Sequence, residues 1–223
     1  MLSKVKAFMF DLDGTLIQSA VDFVKLKRET IRRLSELQVP TDELSEKMKT
    51  YEIMAKVRQL TASGKLDLSY PEIVAETTLI WNRVELETVR NTERIPGAER
   101  ALIQLRSKGM RIGVITRGCG DYAAKALRTT RLFSLVDIII GRDDTVEAKP
   151  NPEPLLRAMS RLGVEAPETV MIGDSVDDAA CAHKAGVAFI GVLTGLSDAT
   201  ALKRIGCIRV LKSVEDLTTL LED

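Results

Sequence analysis

The sequence predicts an α/β protein: a doubly wound, mostly parallel Rossmann-like sheet with an inserted all-helical cap. Over residues 1–16 and 97–223, short runs rich in Val, Ile and Phe alternate with helix-sized amphipathic segments. Runs of nearly continuous apolar character belong to strands buried on both faces, and β–α alternation implies parallel strands joined by right-handed crossovers. Residues 17–96 carry long amphipathic periods instead, with no convincing strand.

In order, the strand runs are VKAFMFD (5–11), MRIGVIT (110–116), VDIIIG (136–141), TVMIGD (169–174), AFIGVL (188–193) and CIRVL (207–211). Between them lie helical stretches such as GAERALIQLRSKG, where Ala101, Leu102 and Leu105 fall at helical spacing and Gly109 supplies the stop. The first run is expected at the centre of the sheet, flanked by those ending at Thr116 and Asp174. Within the insert, Val21, Val24, Ile31, Leu34 and Leu37 mark one helix, closed near Pro40. A second is expected from about Thr41 to Gly64. A third opens at Ser69-Tyr70-Pro71-Glu72, a capping box, and continues through Val74, Leu79 and Trp81. Trp81 is expected in the core of this module. Ile95-Pro96-Gly97 marks the return to the sheet.

The expected division is therefore an α/β core of 1–16 and 97–223 with a helical cap of 17–96, hinged at Ile17–Ser19 and Ile95–Gly97. Ligands of open α/β sheets bind beyond the carboxyl ends of the strands. A module inserted after the first strand is expected to sit over that site.

At 223 residues, 45% hydrophobic and 29% charged, the chain has an ordinary globular composition. Lys plus Arg balances Asp plus Glu at 32 each, so no overall field favours nucleic acid or a membrane surface. No apolar run approaches the ~20 residues that span a bilayer. The N-terminal apolar stretch ends in acids rather than a small-residue cleavage site, so a signal peptide is not expected. Cys119, Cys181 and Cys207 form neither a metal pattern nor an even disulfide set. The expectation is a reduced, cytoplasmic protein, as monomer or homodimer.

Four strand-end features carry chemistry. Asp11-Leu12-Asp13-Gly14-Thr15 puts two carboxylates one residue apart at the mouth of a buried strand. A turn aspartate there is common, but two acids in such a place repel unless a cation or shared proton relieves them. Gly173-Asp174-Ser175-Val176-Asp177-Asp178 ends a second buried strand in the same way. Two acidic strand ends in one small sheet invite a divalent cation, and hard oxygen ligands suit Mg²⁺. Thr116, followed by Arg117, Gly118, Cys119 and Gly120 before a helix, offers a hydroxyl and exposed N–H groups as a phosphate cradle. Lys149-Pro150 stands where a loop enters the helix near Pro152; a lone lysine is usually a solvated residue.

Together these features resemble, in order and spacing, the signature of the haloacid dehalogenase superfamily. DLDGTL resembles its first motif, the Thr of VITRG its second, the Lys of KPNPEP its third and GDSVDD its fourth. IPGAERALIQLRSKGMRIGVIT resembles the family's return from the cap, and the insert resembles the cap of the phosphoglycolate phosphatase-like branch. The resemblance implies a Mg²⁺-dependent phosphatase acting on a small phosphorylated metabolite, phosphoglycolate or a sugar phosphate. By the same resemblance Asp11 is the nucleophile and forms an aspartyl-phosphate, while Asp13 is the general acid and base. Asp11, the backbone carbonyl of Asp13, and Asp174 are the metal ligands, with Asp178 in the outer shell or steadying Lys149. Thr116 and Lys149 hold the transferring phosphoryl oxygens. Arg117, standing where the family commonly has Asn or Ser, counts with them as a phosphate-binding candidate, with cap or solvent contact as alternatives. The acid at Asp13 separates the chain from the dehalogenases, which need no proton for halide.

Two other readings stay open. Phosphomutases of the superfamily keep the same four motifs. Gly118, Gly120 and Ala123 also fit a G-x-G-x-x-A dinucleotide fingerprint with Asp143 beyond the next strand. That oxidoreductase reading leaves DLDGT, Lys149 and GDSVDD unexplained.

Overall fold

The computed structural model describes residues 4–64 and 66–220. It falls into two compact units, one of Met1–Ala20 with Val89–Asp223 and one of Val21–Thr88.

In the larger unit the strands are β1 (Ala7–Phe10), β4 (Arg111–Ile115), β5 (Ile138–Ile140), β6 (Thr169–Gly173), β7 (Ala188–Val192) and β8 (Arg209–Leu211). They form one sheet in the order β5-β4-β1-β6-β7-β8, and every pairing is parallel. The sheet is doubly wound, as the continuous apolar runs require. In β1 all four residues are buried. Met9 packs into a core with Ile115, Leu155, Met171, Ala182 and Phe189. Its neighbours Phe8 and Phe10 point to the opposite face and are equally buried, so both faces of the sheet are covered. Gly113 in β4 is part of this fit: a Cβ there would lie 2.5 Å from the Met9 sulfur.

Helices link the strands: α4 (Ala98–Ser107), α5 (Gly120–Thr129), α6 (Glu153–Leu162), α7 (Val176–Lys184) and α8 (Ala199–Arg204), while α9 (Leu217–Leu220) follows the last strand. The expected central strand is central. Phe10 is in register with Val114 on one side and Ile172 on the other. The chain continuations Asp11, Thr116 and Asp174 therefore leave the sheet along one edge.

Two short strands escaped the sequence reading. β2 (Ile17–Gln18) and β3 (Glu93–Arg94) pair antiparallel, with Ile17 opposite Arg94. At two residues each they are too short for any periodicity to register. They belong to the larger unit, so residues 17–20 and 89–96 are grouped with the sheet rather than with the helical segment.

The smaller unit holds α1 (Phe23–Glu36), α2 (Thr50–Ala62) and α3 (Tyr70–Glu87). α1 buries Leu26, Thr30 and Leu34, and α3 buries Ile73, Thr77, Trp81 and Val84. Trp81 is the expected core residue: its indole N–H donates to Thr30 Oγ1 at 2.8 Å, and Thr30 in turn donates to the Leu26 carbonyl at 2.7 Å. Leu79, by contrast, faces solvent at 67% exposure. α2 starts at Thr50, not near Thr41. Residues 41–48 make separate turns closed by Leu44 N–H to Thr41 O and Met48 N–H to Ser45 O. That stretch has only Leu44 and Met48 as apolar residues and so offers no stripe to bury, whereas Ile53, Met54 and Val57 anchor the helix proper. The expected capping box is present at Ser69, whose N–H and hydroxyl both donate to Glu72, at 2.8 and 2.6 Å.

Among the described residues no helix is long and apolar enough to cross a membrane.

Candidate active site

The edge where β1, β4 and β6 end is strongly charged, and its charged side chains are buried. Asp11, Lys149, Asp174 and Asp178 are only 8%, 2%, 2% and 1% exposed. Burying charge in this way is costly unless each group is paired and hydrogen-bonded. Lys149 is: its ammonium donates to Asp11, to Asp178 Oδ1 at 2.6 Å and to the Ile115 carbonyl at 2.9 Å.

Asp178 is aimed by the start of α7. Its Oδ2 accepts the Ser175 N–H at 3.1 Å and the Ser175 hydroxyl at 2.6 Å, while Ser175 Oγ accepts the Asp178 N–H at 3.2 Å. This reciprocal cap leaves Oδ1 turned to Lys149. Asp174 is held by the loop after β7. Its Oδ2 accepts the Leu196 N–H at 2.6 Å and its backbone carbonyl accepts the Ser197 N–H at 3.0 Å. The Thr15 hydroxyl reaches Asp174 Oδ1 at 3.4 Å. Two glycines permit this approach. Gly14 sits at φ +87°, where a side chain is strained, and a Cβ on Gly195 would fall 2.0 Å from Asp174 Oδ2.

One ammonium faces three carboxylates. Carboxylate oxygens of Asp11, Asp174 and Asp178 lie within 4.8 Å of one another. Burial raises the Asp11 carboxyl well above its ordinary range; the nearby ammonium of Lys149 opposes the rise, and Asp178, Asp174 and Asp13 reinforce it. Burial, with Asp178 beside it, likewise raises Asp174. Burial would lift Asp178 too, but the charge and hydrogen bond of Lys149 and the Ser175 hydroxyl bring it below the ordinary value. Burial alone would lower Lys149, yet the two carboxylates raise it, so it stays an ammonium. The surplus is negative, its donors are all hard oxygens, and a divalent cation fits it.

Asp13 stands apart from this cluster. Its Oδ1 accepts the Tyr122 hydroxyl at 2.5 Å, and its Oδ2 lies 3.5 Å from Thr116 Oγ1, the outer limit of a hydrogen bond. The metal role expected of Asp13 concerned its main-chain carbonyl rather than this side chain. Thr116 Oγ1 also accepts the Gly118 N–H at 3.0 Å, which closes the turn into α5. Arg117 is not in the buried cluster: its guanidinium pairs with Asp177 at 3.0 Å and is 37% exposed.

The expected residues Asp11, Lys149, Asp174 and Asp178 thus converge, and Asp13 and Thr116 adjoin each other. Sequence reasoning missed Tyr122, Ser19 and the Thr194–Ser197 loop, whose Thr194 hydroxyl donates to the Gly14 carbonyl at 2.6 Å. The dinucleotide fingerprint loses its acidic partner, because Asp143 accepts the Gly120 N–H at 2.7 Å within the chain's own loop.

Comparison with known proteins agrees with this geometry. The family model for haloacid dehalogenase-like hydrolases matches residues 8–192. A phosphoglycolate phosphatase of Nitrosospira multiformis is 28% identical, over 98% of this chain and 96% of its own. A Clostridium perfringens protein named as a pyrophosphatase is 30% identical over 84% of each chain. The solved structure of a hydrolase from Pseudomonas syringae superposes with a TM-score of 0.67 at 25% identity, covering 97% of this chain and 98% of that one. With the family model spanning most of the sheet and all four motifs in place at its edge, the chain is an enzyme that belongs to the haloacid dehalogenase-like hydrolases.

Proposed function

We propose that the enzyme is a Mg²⁺-dependent phosphatase that hydrolyses a small phosphorylated metabolite through an aspartyl-phosphate on Asp11. The observation that carries this reading is a cluster of three buried carboxylates at the end of β1, two of them paired with one buried ammonium. Mg²⁺, when held by Asp11, the carbonyl of Asp13 and Asp174, neutralises phosphate charge that would otherwise repel a carboxylate nucleophile. One Asp11 oxygen attacks phosphorus in line with the leaving oxygen, and the P–O bond to the substrate breaks. Asp13 gives its proton to the departing alkoxide and then takes one from the water that opens the acyl phosphate. Thr116 and Lys149 hold the phosphoryl oxygens, and Asp178 keeps Lys149 aimed. Arg117 joins that set only by leaving Asp177, so it ranks behind them.

Phosphoglycolate or a sugar phosphate is the proposed substrate class, supported by the phosphoglycolate phosphatases among the relatives. A screen of phosphorylated metabolites with purified enzyme and Mg²⁺, read by phosphate release, tests it; a mutase would release none. Selectivity is assigned to the helical insert. Replacing residues 21–88 by a short linker should leave phosphate release intact but broaden the range of esters accepted, and unchanged selectivity would place recognition in the sheet unit.

Metal removal is a further test. Chelator should abolish phosphate release and Mg²⁺ should restore it; undiminished turnover in excess chelator refutes the mechanism. Thermal melts read the same binding without turnover. Because the folded-state values of Asp11 and Asp174 are raised, the native protein keeps protons that the unfolded chain has lost. Stability of the metal-free protein therefore falls as pH rises from the ordinary carboxylate range through those raised values. The lowered value of Asp178 acts oppositely, but below that range. Mg²⁺ needs the ionised carboxylates, so its stabilising effect should grow with pH across the same window and disappear beneath it.

A further inference from the structure

We propose that Tyr122, with Ser19 behind it, is a positioning residue that fixes which oxygen of Asp13 handles the proton; the inference rests on the phosphatase reading above. Tyr122 lies in the first turn of α5 and is 1% exposed. Its hydroxyl donates to Asp13 Oδ1 at 2.5 Å and is 2.9 Å from Ser19 Oγ. A phenol buried among apolar residues has no need to reach a carboxylate across 109 positions of sequence. This one does so because the ring lies across a glycine: a Cβ on Gly118 would come within 2.7 Å of Tyr122 Cδ1 and 3.5 Å of Thr116 Oγ1. The turn that carries Thr116 thus also seats the ring that holds Asp13.

The consequence is a division of labour between the two oxygens of Asp13. Oδ1 is engaged by Tyr122, while Oδ2 lies towards Thr116, the side chain assigned to the phosphoryl group. A carboxyl side chain ends in a broad, nearly two-fold torsion and does not hold one plane unaided. Anchoring Oδ1 fixes that plane and leaves Oδ2 to release its proton to the leaving alkoxide and to recover one from water. Tyr122 touches neither substrate nor metal in this scheme; it acts through Asp13. The Ser19 hydroxyl, 2.9 Å from the phenol oxygen, braces it against turning away.

Tyr122→Phe removes the hydroxyl and keeps the ring, so the fold is preserved. For an alkyl phosphate, kcat should fall roughly 10- to 100-fold, the value of one hydrogen bond to a charged group, with KM little changed. An aryl phosphate, whose leaving group needs little protonation, should lose less. The decisive comparison is a double-mutant cycle: in an Asp13→Asn background, Tyr122→Phe should cost less than about twofold, because its effect runs through Asp13. Gly118→Ala, which displaces the ring, should reproduce the alkyl-selective loss. Equal slowing of both esters by Tyr122→Phe, or full additivity with Asp13→Asn, overturns the inference. Failure of the phosphatase reading is distinguishable, since it appears in the wild-type enzyme as no phosphate release from either ester.

Discussion

Asp11→Asn is expected to reduce turnover to background for every substrate. An amide oxygen is a far weaker nucleophile than a carboxylate, so no phosphoenzyme can form. The substitution also changes the charge of the buried cluster. Asp11 is one of the two carboxylates that pair with Lys149, and removing its charge leaves Lys149 paired to Asp178 alone. Because burial already disfavours the Asp11 charge, the protein should fold at least as well without metal as the wild type does. Loss of activity with retained or raised melting temperature is the expected signature, read by phosphate release and calorimetry side by side. Mass spectrometry of denatured, substrate-quenched enzyme should show no phosphate adduct. Appreciable turnover in Asp11→Asn would assign the nucleophile elsewhere.

The fold was legible wherever a single physical cause acted over several residues. β1 and β6 are buried throughout, and continuous apolar character reports that burial directly. The antiparallel pair β2–β3 was not legible, because two residues carry no period. The start of α2 was misplaced because charged and hydroxyl residues after Pro40 are compatible with helix or turn, and the missing apolar stripe decides between them.

Within the site, Asp11, Thr116 and Asp174 were legible for one reason: each directly follows a buried strand. Lys149 follows no strand and became a candidate through family resemblance alone. Tyr122 reads as an ordinary apolar position of α5, since its polar tip finds Asp13 only after the sheet is assembled. Leu196 was beyond any reading of residue type, because its backbone N–H, not its side chain, meets Asp174. The exposed Arg117 shows the reverse. Its position in the motif suggested phosphate contact, while its guanidinium pairs with Asp177.

The two acids of DLDGT have different work in the proposed mechanism, and Asp13→Asn separates them. The variant keeps the Asp11 nucleophile and the backbone carbonyl of residue 13, but it has no proton to give. Alkyl phosphates expel a strongly basic alkoxide and should lose about 10²–10⁴-fold, the usual worth of general acid–base catalysis. Aryl phosphates depart with little protonation, so their first step should be slowed far less. They should not escape altogether, because the water that clears the acyl phosphate also gives up its proton to Asp13. With an aryl substrate the second step then limits the rate, and phosphate should accumulate on Asp11. That adduct is an acyl phosphate, which survives acid quench and is cleaved by hydroxylamine, so intact-protein mass spectrometry with and without hydroxylamine can detect it. The charged cluster of Asp11, Asp174, Asp178 and Lys149 does not include the Asp13 side chain, so the variant should retain its metal-induced stabilisation. Equal slowing of alkyl and aryl esters, with no adduct, would show that Asp13 moves no proton in this enzyme.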